Sequence, residues 1–319
     1  MIYLPSQTTR TVSLPPVQNQ KRLIKKISNS EAGLTAEVEL LEHSMAAFVG
    51  ELSAGEFEKF RRATLENFNQ TIKLDGFRLG HTPETVLQNQ LGEGRVLEAM
   101  AELAIRQHYP DLVARSALDV LGRPEVVITK LAPGNPLGFK IVTAVYPKFT
   151  LPDYRAIAKK VLAEPVVVDP PSENEKEEDR ARREQDKRRL RLLDALVAAT
   201  EIDPPPLLIE SEIEKMWLEL KSQIELMGLK FDDYLKQLKK TEPELKADWR
   251  GPATARVKTG LFLEQIAVTE KLRPELEQIN KEAATLLVKY PTADPQRLRA
   301  YVSNRLTNEL IWQLLEGQK

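Results

Sequence analysis

Asp75-Gly76-Phe77-Arg78-Leu79-Gly80-His81-Thr82-Pro83 separates two long amphipathic segments. Its two glycines open backbone angles closed to other residues, and Pro83 suits the first turn of a following helix. The stretch predicts a loop presented by a helix pair, and loops held by rigid elements are where binding residues concentrate. Phe77 beside Arg78 admits two readings. The ring can stack or pack while the guanidinium forks onto phosphate or carboxylate, as an RNA or protein–RNA surface requires. Alternatively, Phe77 turns into the core of a helix hairpin and Arg78 is merely solvated.

Upstream, Phe57, Phe60, Leu65, Phe68 and Ile72 lay an apolar stripe on a helix expected to end near Leu74, with Ser53 and Glu56 as its capping box. Downstream, Pro83 starts a helix carrying Val86, Leu87 and Leu91. After a break at Gly92 to Gly94, residues Val96, Leu97, Met100, Leu103, Ala104 and Ile105 continue at helical spacing to an expected stop before Pro110. Further out, Leu34, Ala36, Val38 and Leu40 alternate with polar residues. Ala46 to Leu52 follows a tight Glu42-His43-Ser44 turn, so the two runs predict a hairpin. Val126 to Ile128 and Phe139 to Val145, joined across Pro133-Gly134-Asn135-Pro136, predict another. Two hairpins and a helix pair make a small α+β domain over residues 28–152. Residues 1–27, rich in Gln, Thr, Pro and Lys, read as a flexible tail whose Lys21, Arg22, Lys25 and Lys26 either brush RNA or are solvated.

Ile72-Lys73-Leu74-Asp75-Gly76-Phe77-Arg78, then Gly80 and Pro83, resembles the ribosome-docking signature of the trigger factor family of bacterial chaperones. Val145-Tyr146-Pro147, with Leu151 and Asp153-Tyr154, is similar to the end of that family's ribosome-binding domain. Ala255-Arg256-Val257-Lys258-Thr259-Gly260-Leu261-Phe262-Leu263-Glu264-Gln265-Ile266-Ala267 is similar to a helix of its C-terminal domain. The resemblance covers most of residues 30–319. It implies a docking site of Gly76, Phe77, Arg78, Gly80, His81 and Pro83, with an exit-tunnel ribosomal protein and rRNA as partners and unfolded or nascent polypeptides as clients. The loop departs from the family at Leu79, usually lysine or proline there, and at His81, usually lysine. Arg78 is left as the one fixed positive charge between Asp75 and Pro83.

Full-length members of the family insert a peptidyl-prolyl isomerase domain of the FK506-binding type before the C-terminal helices. Here only Arg155 to Arg189, about 35 residues, separates the two similar regions, fewer than a domain needs. Val166-Val167-Val168 reads as at most one short strand, and residues 153–172 as a linker. Ser172 and Glu175 form a second expected capping box, opening a charged run whose mixed signs suit a solvated helix face. Leu190, Leu193, Leu196 and Val197 then pack. After Pro204-Pro205-Pro206, Ile209, Ile213, Met216, Leu220, Ile224 and Met227 step along one helix with Trp217 beside them. Phe231, Tyr234, Leu235 and Leu238 mark a short helix after Gly228; Val257, Leu261, Phe262 and Ile266 mark another; Ala283, Leu286, Leu287 and Tyr290 a third. Asp294 caps the last, with Pro295 in its first turn. The fold class is thus α+β, the small N-terminal domain preceding an elongated all-helical domain over 173–319. Met216, Leu226 and Met227 are candidates for a face that accepts many sequences weakly, or else ordinary helix-helix core.

With 46 basic and 47 acidic residues in 319, nothing draws the whole chain to nucleic acid or membrane, so a ribosome contact would be local. Zero cysteines exclude disulfides and thiol chemistry and fit a cytoplasmic protein. His43, His81 and His108 lack ligand spacing, and no phosphate loop, nucleophile elbow or HExxH run occurs, so neither metal nor cofactor is expected. Gly92-x-Gly94 opens no βαβ unit. Three functional readings follow. The first is an ATP-independent, ribosome-docked chaperone. The second, a reduced isomerase, needs an aromatic-lined proline pocket, and Tyr154 is the only aromatic beside the segment that would supply it. The third is a ribosome-independent chaperone or assembly protein that self-associates, as a homodimer for instance, through its helical arms.

Overall fold

A computed structural model describes residues 22–30, 32–165 and 177–317. The valine run at 166–168, the pair Ser172 and Glu175, and residues 1–21 of the expected tail lie outside these. The chain divides into two units between Tyr146 and Pro147.

The first unit opens with β1 (Arg22–Asn29), β2 (Leu34–Leu41) and β3 (Met45–Leu52). Four helices follow, α1 (Ala54–Glu58), α2 (Phe60–Thr71), α3 (Glu84–Leu91) and α4 (Glu93–Ser116), and then β4 (Val120–Lys130) and β5 (Leu137–Val145). The strands form one antiparallel sheet in the order β1-β2-β3-β5-β4. The two expected hairpins are therefore fused, because β3 pairs with β5 from Met45 against Ala144 to Leu52 against Leu137. Residues 22–27 are not tail but most of β1. Pairing with β2 satisfies their backbone, and buried Ile27 ties the edge to the core. Gly50 is required in β3, since a Cβ there would lie 2.2 Å from the Thr35 carbonyl oxygen.

The helical layer departs from expectation in two places. Ser53 makes no capping bond, and the helix breaks at Lys59 into α1 and α2. α4 does not stop before Pro110 but runs through it to Ser116. Proline removes one backbone donor, yet buried Leu112 and Ser116 keep the last turns on the core, and Arg115 bonds Asp111 at 2.8 Å. The face Leu97, Ala101, Ala104, Ile105 and Leu112 packs with Phe60 and Leu65 of α2 against Leu34, Phe48, Leu52 and Phe139 of the sheet, with His108 edge-on to Phe60 at 5.8 Å.

The second unit is helical: α5 (Tyr154–Ala163), α6 (Glu177–Ala198), α7 (Pro206–Leu226), α8 (Phe231–Leu238), α9 (Glu242–Asp248), α10 (Arg250–Thr269), α11 (Leu276–Lys289) and α12 (Pro295–Leu315). The expected linker holds a helix. Asp153 caps α5 by accepting from the Ala156 amide at 3.0 Å, and the buried Tyr154 and Ala158 pack it into this unit. α5 packs on α6, α7 on α10 and α11 on α12. Ile209, Ile213 and Ala253 form one small core, and Ile279, Ala283, Val302 and Leu306 another. Asp294 caps α12 through the amides of Gln296 and Arg297 at 2.8 and 2.9 Å. α9, with a complete Thr241–Glu244 capping box, was not expected from periodicity.

Candidate functional site

The loop after α2 is built by sequence-local bonds. Thr71 turns its hydroxyl back to the Asn67 carbonyl at 2.8 Å, and α2 ends as Ile72 becomes extended. Two tight turns follow. The Phe77 amide donates to the Leu74 carbonyl at 3.2 Å and the His81 amide to the Arg78 carbonyl at 3.0 Å. Gly76 and Gly80 occupy the third position of these turns, each at φ 84°, which is the type II pattern that calls for glycine.

One residue closes the loop. The Asn69 side chain accepts from the Thr82 amide at 3.0 Å and donates to the Thr82 carbonyl at 3.1 Å, while its backbone carbonyl accepts from Gly80 at 2.9 Å. Buried Thr82 and half-buried Leu74 are the two feet of the arch. Behind it, Arg95 lies over the Phe68 ring at 5.9 Å. Arg61 bonds Glu93 through both terminal nitrogens, tying α2 to the start of α4. That bond holds the Glu93 carboxyl below the usual carboxylate range. Asn69 was missed in the sequence; its signal was a turn-forming residue near a helix end, where a stronger helix former would be usual.

On this frame Arg78 is exposed and makes no side-chain hydrogen bond or ion pair among the described residues. Leu79 is 50% exposed. His81 and Pro83 are also exposed, whereas Phe77 is half-buried, between the two sequence readings. Gly76, Phe77, Arg78, Gly80, His81 and Pro83 are therefore brought together on one arch.

The three candidates of the helical unit separate. Met216 packs partly buried against Ile209, Ile213 and Ala253. Leu226 and Met227, at the end of α7, are 85% and 70% exposed, and Leu229 beyond them 54%. Among the described residues no group of three or more acidic or histidine side chains could hold a metal ion, and no helix is long and apolar enough to cross a membrane.

Comparison with known proteins covers both units. The family model described as bacterial trigger factor protein matches residues 34–178, and that of the bacterial trigger factor protein C-terminus residues 172–319. The trigger factor of Agathobacter rectalis is 32% identical over 124 residues, 39% of this chain and 28% of that protein. That of Streptomyces coelicolor is 32% identical over 128 residues, 40% of this chain and 27% of the other. That of Rhodococcus opacus is 37% identical over 92 residues, 29% of this chain and 20% of the other. The matched stretch thus spans between a fifth and 28% of these relatives' lengths. A solved chain from work on "Promiscuous Substrate Recognition in Folding and Assembly Activities of the Trigger Factor Chaperone" shares the fold, with a TM-score of 0.54 at 15% identity over 88% of this chain and 97% of that one. The two family models meet at residues 172–178, leaving no domain's length of chain between them. Head and tail of one family pattern follow each other here without the isomerase domain that separates them in full-length members, and the chain belongs to the trigger factor family.

Proposed function

We propose that this chain is an ATP-independent chaperone of the cytoplasm, which docks at the ribosomal exit tunnel through the 72–83 arch and holds unfolded or nascent polypeptide on its helical unit, without isomerase activity. The observation that carries the reading is Arg78, exposed and without an intramolecular ion pair among the described residues, on a loop whose two turns and Asn69 clamp hold it in place. A pre-ordered loop spends little ordering entropy on binding. Arg78 then offers a charge-assisted contact to an acidic side chain or an rRNA phosphate worth about 1.5–3 kcal/mol, or one to two decades in affinity. Phe77, half-buried, leaves part of its side chain open to a partner. Exposed Leu226, Met227 and Leu229 supply flexible apolar surface of the sort that accepts many sequences weakly.

The test is co-sedimentation with empty 70S ribosomes at near-physiological salt. The chain is expected to pellet and the Phe77→Ala, Arg78→Ala double variant to stay in solution; equal pelleting of both removes the loop from the docking site. A proline-isomerisation assay showing catalysis would overturn the non-enzymatic reading. One feature favours a second reading, a ribosome-independent chaperone or assembly partner that associates as a homodimer: exposed Leu79 and His81 stand where the family usually carries added positive charge. In that case neither protein pellets, while both slow aggregation of a refolding client.

A further inference from the structure

α8 is a helix with an amphipathic sequence and no buried residue. It lies between two left-handed positions, Gly228 at φ 75° and Lys239 at φ 54°. Its side-chain polar contacts stay inside it: Lys236 reaches Asp233 at 3.2 Å, and no side chain from Leu229 to Leu238 makes a hydrogen bond or ion pair to another element among the described residues. What holds it down is aromatic. The Phe231 ring meets the Trp217 ring of α7 edge-on at 4.8 Å, with Tyr234 at 6.2 Å from Phe231. Trp217 is otherwise enclosed by Trp249 at 6.2 Å and by the Lys246 ammonium at 5.1 Å over its face, and it is 8% exposed beneath a helix whose Phe231, Tyr234 and Leu235 are only partly buried. The floor is thus well built and its cover weakly attached.

We propose that Trp217, Trp249 and Lys246 form a receptor for one aromatic side chain of a client polypeptide, which α8 occupies with Phe231 as a built-in competitor and vacates by swinging about Gly228 and Lys239. This rests on the polypeptide-holding reading above and adds to it the side-chain class and the device that limits access. The near-perpendicular geometry selects an aromatic ring over an aliphatic side chain, because the positive edge of one ring meets the negative face of the other. Exposed Leu226, Met227 and Leu229 flank the hinge and extend the contact to neighbouring apolar residues of the client once the flap lifts. Since the free chain holds the receptor filled, its apparent affinity is lowered by the fraction of time α8 is closed.

The experiment measures binding of a dye-labelled twelve-residue Gly/Ser peptide carrying two phenylalanines, and of the same peptide carrying two leucines, to the full chain by anisotropy. Tryptophan emission is read in parallel, and circular dichroism checks that each variant is folded. Phe231→Ala is expected to tighten the phenylalanine peptide by about 2- to 12-fold, the range of one aromatic pair, with little change for the leucine peptide. Leu235→Ala, which loosens the flap and leaves Phe231 in place, is expected to tighten it less. Trp217→Leu, with Phe231 intact, is expected to abolish the preference for phenylalanine. Unchanged or weaker binding by Phe231→Ala overturns the proposal, as does equal tightening for both peptides. If Phe231→Ala leaves peptide binding unmoved while the chain still slows client aggregation, the receptor fails and the chaperone reading stands. If no peptide binds either form and aggregation is not slowed, both fail.

Discussion

Asn69 shows how much of an exposed loop can rest on one side chain away from its tip. Its two bonds to Thr82 are partly buried, so Asn69→Ala is expected to destabilise the first unit by about 1–3 kcal/mol. It should also raise amide exchange at Thr82, whose proton its side chain holds directly, while the Gly80 amide keeps its bond to the residue-69 backbone carbonyl; protection unchanged at Thr82 would refute the clamp. A Cβ added at Gly76 or Gly80 would meet only open space, so the cost of substitution there is purely conformational. Gly80→Ala is expected to cost about 1 kcal/mol or more for the left-handed angle. Its ribosome pelleting should fall with no contact removed. Leu79→Lys tests the charge argument in the other direction: it adds a second fixed cation beside Arg78, so pelleting should strengthen at low salt and depend more steeply on salt. A flat salt response would place Leu79 outside the contact.

Among the elements, α4 continues through Pro110 because a helix end is decided by what its last turns bury, and Leu112 is 1% exposed. It ends at Ala117, a non-glycine residue at φ 56°. Ala117→Gly is therefore expected to raise the denaturation midpoint of the first unit, by about 0.5–1 kcal/mol in stability, against the usual destabilisation by glycine. α5 is held to the end of α10 through Tyr154, whose hydroxyl donates to Glu270, and through Arg155, 2.9 Å from the same carboxylate. These bonds hold the Glu270 carboxyl below its ordinary range. A carboxyl depressed in the folded state contributes stability above its unfolded pKa of about 4.3 and loses it as pH falls through the lower folded value. The helical unit of Glu270→Gln should accordingly show a flatter acid limb below about pH 4.3, in thermal melts followed by circular dichroism. An acid limb identical to that of the unaltered chain would show that the latch contributes nothing.

For the whole molecule, the division at Tyr146 assigns the arch and the exposed helical surface to different units. If docking and holding are separate tasks, the Phe77→Ala, Arg78→Ala variant should slow aggregation of a refolding client without ribosomes as well as the unaltered chain does. A matching loss in both assays would mean that the loop itself handles the client. Omission of an isomerase domain follows from the way the two family matches adjoin.

Much of this was legible in residue order. Glycine spacing in 75–83 dictates two turns because only glycine takes that angle readily, and period-2 and helical spacings dictate strands and helices because they set which face is apolar. Local chemistry also marked Asp294 as a cap, whereas the charged run before Leu190, read as a solvated face, is solvent-facing only in part, since Arg189 lies over the Trp312 ring and bonds Glu316. Tertiary structure alone decided the rest. The single sheet exists because β3 and β5 pair across about 90 residues, a choice no local pattern encodes. β1 forms from a polar segment because a neighbour's edge completes its backbone bonds. Met216 and Met227 share one face by helical spacing, yet one is partly buried and the other solvent-exposed, since Ala253 of α10 lies in the cluster that the first packs against and no described element buries the second. Periodicity states which residues share a face; burial depends on which element arrives there.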